Sequence, residues 1–208
     1  MHTHRHRRYL LAGAILIAAA SSLPGSGAGG QVLKDAEGTA YKTVRIGDQI
    51  WMAENLRANR GPHGRPLTSY CPDDSETGCQ EYGRLYTWES ALRACPKGWH
   101  LPSRDECEKL IAYLGGPDAA ATALKPGGAS GFEARFAGGR SYKGIYNSSG
   151  SYAAFWSATE QDSERSWHFG VSPDRSGVDW FAGHKQGAVS VRYVKDGPVP
   201  PSKHLYPF

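Results

Sequence analysis

Residues 95–107 read CPKGWHLPSRDEC. Two cysteines, a histidine and several charges share this short stretch, which admits three readings: a metal site, a thiol site or a piece of architecture. Its local grammar favours architecture. Pro96 stops a helix arriving from the N-terminal side. Ser103 and Glu106, directly after Pro102, form the S-x-x-E pattern of a capping box and start a second helix. Cys107, Leu110, Ile111 and Leu114 then repeat at i, i+3, i+4 and i+7, an apolar stripe that Gly115 and Gly116 end. Cys107 is therefore expected to face inward.

The surrounding chain supplies the other elements. Upstream, YGRLYTWESALRACPKG (residues 82–98) places Leu85, Trp88, Leu92 and Cys95 on one face of a first helix. Before it runs a polar loop, residues 57–81, containing RGPHGRP and CPDDSETGC. Earlier still, GTAYKTVRIGDQIWM (residues 38–52) alternates around Gly47-Asp48 and predicts a β-hairpin. From Phe132 onward, short alternating or aromatic runs separated by Gly, Ser, Asn and Asp predict antiparallel strands. The order defines an α+β domain, with two helices packed on short, mostly antiparallel strands and long loops.

The start of the chain reads as a leader. Arg5, Arg7 and Arg8 precede an apolar run over residues 10–20, shorter than the roughly 20 residues of a spanning helix. Ser26 and Ala28 put small side chains before a cut after Ala28. Residues 1–28 are thus expected to be a signal peptide, by the general or the twin-arginine route, and 29–34 a short linker. Residues 35–196 form the domain and 197–208 a Pro-rich tail. No membrane span is expected after cleavage, and the address is periplasmic, cell-surface or extracellular. Of 24 Lys+Arg against 20 Asp+Glu, the leader holds three arginines and no acid, leaving 21 against 20. The mature part has no basic run or stripe, which argues against nucleic-acid binding.

Several motifs in order, YKTVRIGDQIWMAENL, YGRLYTW, CPKGWHLPSRDE, FWSATE and SVRYVKD, resemble the Fibrobacter succinogenes major paralogous domain over residues 35–196. The resemblance implies an exported bacterial protein with a C-type lectin-like fold and does not imply an activity. It also exposes two departures. Tyr193 stands where that family usually has a cysteine, and Cys107 where it usually has an aromatic residue. The usual partner of Cys95 is thereby missing, while a cysteine has appeared on the neighbouring helix.

An even count of four cysteines in an exported chain favours disulfides. Cys71–Cys79 and Cys95–Cys107 are the expected pairs, with cross-pairing as the alternative. The rival is a thiol- or metal-dependent enzyme centred on Cys95, His100 and Cys107, but their spacing matches zinc sites poorly. His100 is read as an imidazole tying two loops together, and no catalytic residue, metal or cofactor is assigned. The lectin tripeptides Glu-Pro-Asn and Gln-Pro-Asp are absent, and the acidic cluster at residues 72–76 reads as a solvated loop. Trp51, Trp88, Trp99 and Trp156 are assigned to the core. Trp167, Trp180 and Phe181, with Asp179 and His184 beside them, are the candidate ligand-binding residues, and Tyr142, Tyr146 and Tyr152 lie nearby. The expected function is a non-catalytic binding or cell-surface module recognising a glycan or a surface protein through its C-terminal loops.

Overall fold

A computed structural model describes residues 32–147 and 149–198 of the chain. The expected signal peptide and most of the Pro-rich tail lie outside the described residues. Strands β1 (Leu33–Lys34) and β2 (Ala40–Tyr41) pair first. Residues 33–34, expected as linker, are thus part of the fold, and Leu33 is buried in it. Next, β3 (Thr43–Ile46) and β4 (Gln49–Met52) form the hairpin written around Gly47-Asp48, where Gly47 takes a φ of 62°. Glycine reaches that left-handed region without the Cβ clash that penalises other residues.

The middle of the chain alternates short strands with helices. In order it contains β5 (Ser69–Tyr70), α1 (Glu76–Tyr82), β6 (Leu85–Thr87), α2 (Trp88–Arg93), β7 (Trp99–His100), α3 (Arg104–Tyr113) and α4 (Pro117–Leu124). The described residues therefore hold four α-helices where two were expected. The first expected helix is also shorter than its periodicity implied. Leu85 lies in a strand, and Leu92, assigned to the buried face, is exposed. Helix α3 starts as written: Ser103 Oγ accepts from the Glu106 N–H, and the Glu106 carboxylate accepts from the Ser103 N–H. Cys107, Leu110 and Ile111 are buried on its inner face.

The remaining strands are β8 (Gly139–Arg140), β9 (Tyr146–Asn147), β10 (Ala153–Glu160), β11 (Arg165–Val171), β12 (Asp179–His184), β13 (Ala188–Val189) and β14 (Val194–Lys195). They complete sheets ordered β3-β4-β14-β7, β5-β6-β13-β8-β9 and β10-β11-β12, all antiparallel within these pairings. Strand β14 lies between β4 and β7, tying the C-terminal part of the domain to the N-terminal hairpin.

Two hydrophobic cores lie on opposite faces of β10. Ala154 and Trp156 face one core, with Met52, Tyr86, Trp88, Ala91 and Tyr193. Ala153 and Phe155 face the other, with Trp51, Cys107, Leu110, Phe132 and Phe169. Successive side chains of a strand alternate in direction, so a strand between two cores reads as a continuous apolar run. AAFWS is such a run, and residues 153–157 are all buried.

Candidate functional site

The last three long strands give the sheet β10-β11-β12 two faces of different character. On one face Phe169 lies opposite Trp180 across the strand pair, ring centroids 5.8 Å apart. Trp167 and Trp180 clamp the Arg104 guanidinium, at 4.4 and 4.9 Å from the two rings. On the other face His168 lies opposite Phe181, and the two rings stack at 5.6 Å. Trp156 meets His168 edge-on at 5.3 Å, and Tyr152 meets Phe181 edge-on at 6.0 Å.

This second face is the floor of a cleft of about 1070 Å³. Its wall comes from β8 and the loop after it, through Arg140 and Tyr142, and from β13, through Ala188 and Val189. At the mouth Tyr142 stacks on His184, with centroids 4.7 Å apart. Two glycines shape the floor. A Cβ on Gly170 would lie 2.2 Å from the Tyr152 hydroxyl, and one on Gly183 would lie 2.9 Å from His168 Nδ1. Both contacts are far inside van der Waals distance, so Tyr152 and His168 can lie against β11 and β12 only because these positions are bare.

Three polar atoms are buried without a hydrogen-bond partner among the described residues: Arg140 Nε, Tyr152 Oη and His168 Nδ1. All three side chains line this one cleft. An unsatisfied buried group costs about 1–3 kcal/mol, and native proteins keep few of them. Burial also pushes the His168 pKa down to about 4, so its imidazole is neutral near pH 7. It then has one ring nitrogen to donate and one to accept with. The cleft therefore combines flat rings with polar groups that lack protein partners. That is the usual makeup of a small-molecule site.

The structure divides the five residues that the sequence proposed for ligand binding. Phe181 and His184 line the cleft. Trp167 and Trp180 point to the opposite face, where they hold Arg104. Asp179 pairs with Arg175 at 3.1 Å. Arg140 and His168 were not identified as site residues and Tyr152 was named only as a neighbour of the candidates, because nothing in these residue types marks which face of a strand they take.

The cysteine expectation needs one correction. Cys71 and Cys79 form a disulfide, with Cα atoms 4.8 Å apart. Cys95 and Cys107 are both free thiols. Cys95 packs against the first core beside Tyr193, and its Sγ donates to the Trp99 carbonyl at 2.9 Å. Cys107 faces the second core, across β10. Two inward directions thus lead into different compartments. The expected Cys95–Cys107 pair is therefore not formed.

The same separation dismantles the thiol or zinc centre. Burial pushes the Cys95 pKa up to about 12 and that of Cys107 well above its usual value, so neither supplies a thiolate near pH 7. His100 is held elsewhere: its Nδ1 meets Asp196 at 2.6 Å and its Nε2 meets Glu106 at 2.8 Å. It joins the start of α3 to the end of β14. Among the described residues, the group of metal-type ligand atoms that does converge is Cys71, Glu76 and Cys79, within 4.8 Å. Two of its three ligand atoms are the disulfide sulfurs.

The architecture is that of a single α+β domain with few helices, many short antiparallel strands and an aromatic cleft. The chain belongs to the Fibrobacter succinogenes major domain family, whose sequence pattern matches residues 44–195. No curated protein and no solved structure matches the chain. No helix among the described residues is long and apolar enough to cross a membrane.

Proposed function

We propose that this domain is an exported, non-catalytic module that binds a glycan in the cleft over β10-β11-β12, on a scaffold related to C-type lectins. The observation that carries the reading is that Arg140, Tyr152 and His168, each with a buried polar atom unpaired among the described residues, line one cleft together with Tyr142, Trp156 and Phe181. Sugars present apolar ring faces to aromatic side chains and hydroxyls to polar ones, and this lining offers both. A binding rather than a hydrolytic role is supported by the acids. Glycoside hydrolysis ordinarily uses two carboxyl groups flanking the scissile bond. Among the described residues, Glu164 is the one acid lining the cleft. The Cys71–Cys79 disulfide is in keeping with an oxidising, exported setting.

Titration calorimetry against a panel of soluble oligosaccharides tests this. Phe181→Ala and Tyr142→Ala should each weaken binding about tenfold or more, equivalent to about 1.4 kcal/mol. Trp180→Ala should lower the unfolding midpoint instead, because its ring braces Arg104 and Phe169. Binding that survives both cleft substitutions would remove the cleft from the reading.

A further inference from the structure

The charge of the cleft narrows its ligand, an inference that rests on the glycan-binding reading above. Arg140, Arg165 and Arg175 line the cleft, against Glu164. Arg175 already pairs with Asp179. Arg140 has no ion pair among the described residues; it is held by rings, with its guanidinium carbon 4.0 Å over Tyr70 and 5.6 Å from Tyr146. The nearby Asp74 carboxylate accepts from the Tyr146 hydroxyl at 2.5 Å and forms no ion pair with the guanidinium. A guanidinium stays charged at any physiological pH, and its planar fork matches a carboxylate with two parallel hydrogen bonds. Held by rings and without an ion pair among the described residues, the Arg140 guanidinium lines the cleft as a seat for an anionic oxygen pair.

We propose that the cleft selects an acidic glycan of the uronic-acid class, with the sugar carboxylate received by Arg140 and the ring faces by Tyr142 and Phe181. The neutral His168 and the Tyr152 hydroxyl suit the uncharged sugar hydroxyls, and of the lining arginines Arg140 is the one fixed in place by rings on the cleft wall. A second hollow of about 390 Å³ shares Arg140 and Tyr142 with the cleft. A chain seated in the cleft thus continues past the arginine, which favours an oligosaccharide over a single sugar.

The test titrates the purified, disulfide-bonded protein with oligogalacturonate, its methyl-esterified form, neutral galactan oligomers of matched length and a sulfated galactan. The acid form should bind at least about tenfold more tightly than the ester, and more weakly as salt rises. Arg140→Gln should abolish that preference without lowering the unfolding midpoint, and Arg140→Lys should keep part of it. Equal binding of acid and ester overturns the acidic assignment while leaving a glycan-binding cleft, and a preference that survives Arg140→Gln overturns Arg140 as its reader. A sulfated galactan binding as tightly as the uronate overturns the carboxylate assignment. Failure of every glycan to bind overturns the glycan reading itself, and this inference with it.

Discussion

Arg192 in the interior and Arg140 at the cleft both lie against aromatic rings, and they differ in whether their donors are met. Arg192 is almost fully buried, with its guanidinium 4.7 Å over Phe132 and 5.5 Å from Phe155. Its Nε donates to Asn55 Oδ1 at 2.6 Å, and its terminal nitrogens donate to the carbonyls of Met52, Phe132 and Glu133. Arg140 has comparable ring contacts, yet its buried Nε has no acceptor among the described residues. The contrast repeats with other residue types. The Tyr193 hydroxyl donates to the Ala91 carbonyl at 2.6 Å, whereas the Tyr152 hydroxyl is unpaired. Both ring nitrogens of His100 meet carboxylates, whereas His168 Nδ1 meets none. Where buried polar groups hold the fold, they are satisfied. At the cleft the corresponding buried atoms have no partner among the described residues.

The largest effect should separate the two arginines. Arg192→Met removes the donor to Asn55 and three carbonyls in the interior, and should cost roughly 3–5 kcal/mol in denaturant unfolding. Arg140→Met should change stability by less than about 0.5 kcal/mol, or raise it, because it removes an unsatisfied group. Equal losses at both positions would erase the distinction on which the cleft assignment stands.

The tyrosines sharpen the same comparison on a smaller scale. The Ala91 carbonyl lies near the end of α2, where backbone acceptors lack helical partners. Tyr193→Phe leaves that carbonyl unpaired and should cost about 1–2 kcal/mol. Tyr152→Phe removes a hydroxyl that has no partner, and should leave stability unchanged or raise it by about 1 kcal/mol. Chemical denaturation of both variants at one pH decides it. Loss of the same size at Tyr152 would mean that its hydroxyl has a structural partner after all.

The sequence made the satisfied half of this comparison far more legible than the open half. The capping box at Ser103 and Glu106 and the turn at Gly47-Asp48 are local signals, with the residue type and its structural task only a few positions apart. Helix α1 was hidden because ETGCQEY carries a single buried residue, Cys79, and so no stripe. Helix α4 was hidden because its inner face is made of Ala120, Ala121 and Leu124, too small and too few to stand out. The periodicity of α3 turned Cys107 inward but could not say into which core, since the partition by β10 is a tertiary fact. The aromatic cluster at residues 167–181 was visible, yet a one-residue step along a strand reverses the face. Trp180 and Phe181 accordingly went to opposite sides. The open groups Arg140, Tyr152 and His168 are defined by what they fail to meet, and no residue string encodes that.

The histidines give the smallest effect and the most direct readout, because their contributions should oppose each other in one pH window. For His100, burial disfavours the charged form, but the hydrogen bonds to Asp196 and Glu106 outweigh it and raise the pKa above its ordinary 6.5. That stabilisation is fully present below pH 6.5 and is lost as pH rises through the raised folded-state value. Glu106 limits it from below. Burial raises its pKa, yet the hydrogen bonds from Ser103 and His100 lower it overall from 4.5. Its contribution is present above about pH 4.5 and lost as pH falls through the lowered value. His100→Gln should therefore destabilise most between about pH 4.5 and 6.5, by less than about 1 kcal/mol for a pair this exposed to solvent. His168 has the reverse sign, since burial holds its folded pKa near 4. The unfolded chain takes up its proton first as pH falls below about 6.5, so the wild-type histidine destabilises the fold there. After discounting for the ring's partial exposure, His168→Gln should relieve about 1 kcal/mol at pH 5 and change little at pH 8. Urea unfolding of both variants across pH 4.5–8 reads the two slopes. A bound glycan that hydrogen-bonds the neutral imidazole should depress the His168 proton affinity further. Histidine proton NMR, followed through a titration with and without ligand, would register that shift at His168 and leave His100 in place. A ligand that moves His100 instead would put the binding site at the α3–β14 junction and not at the cleft.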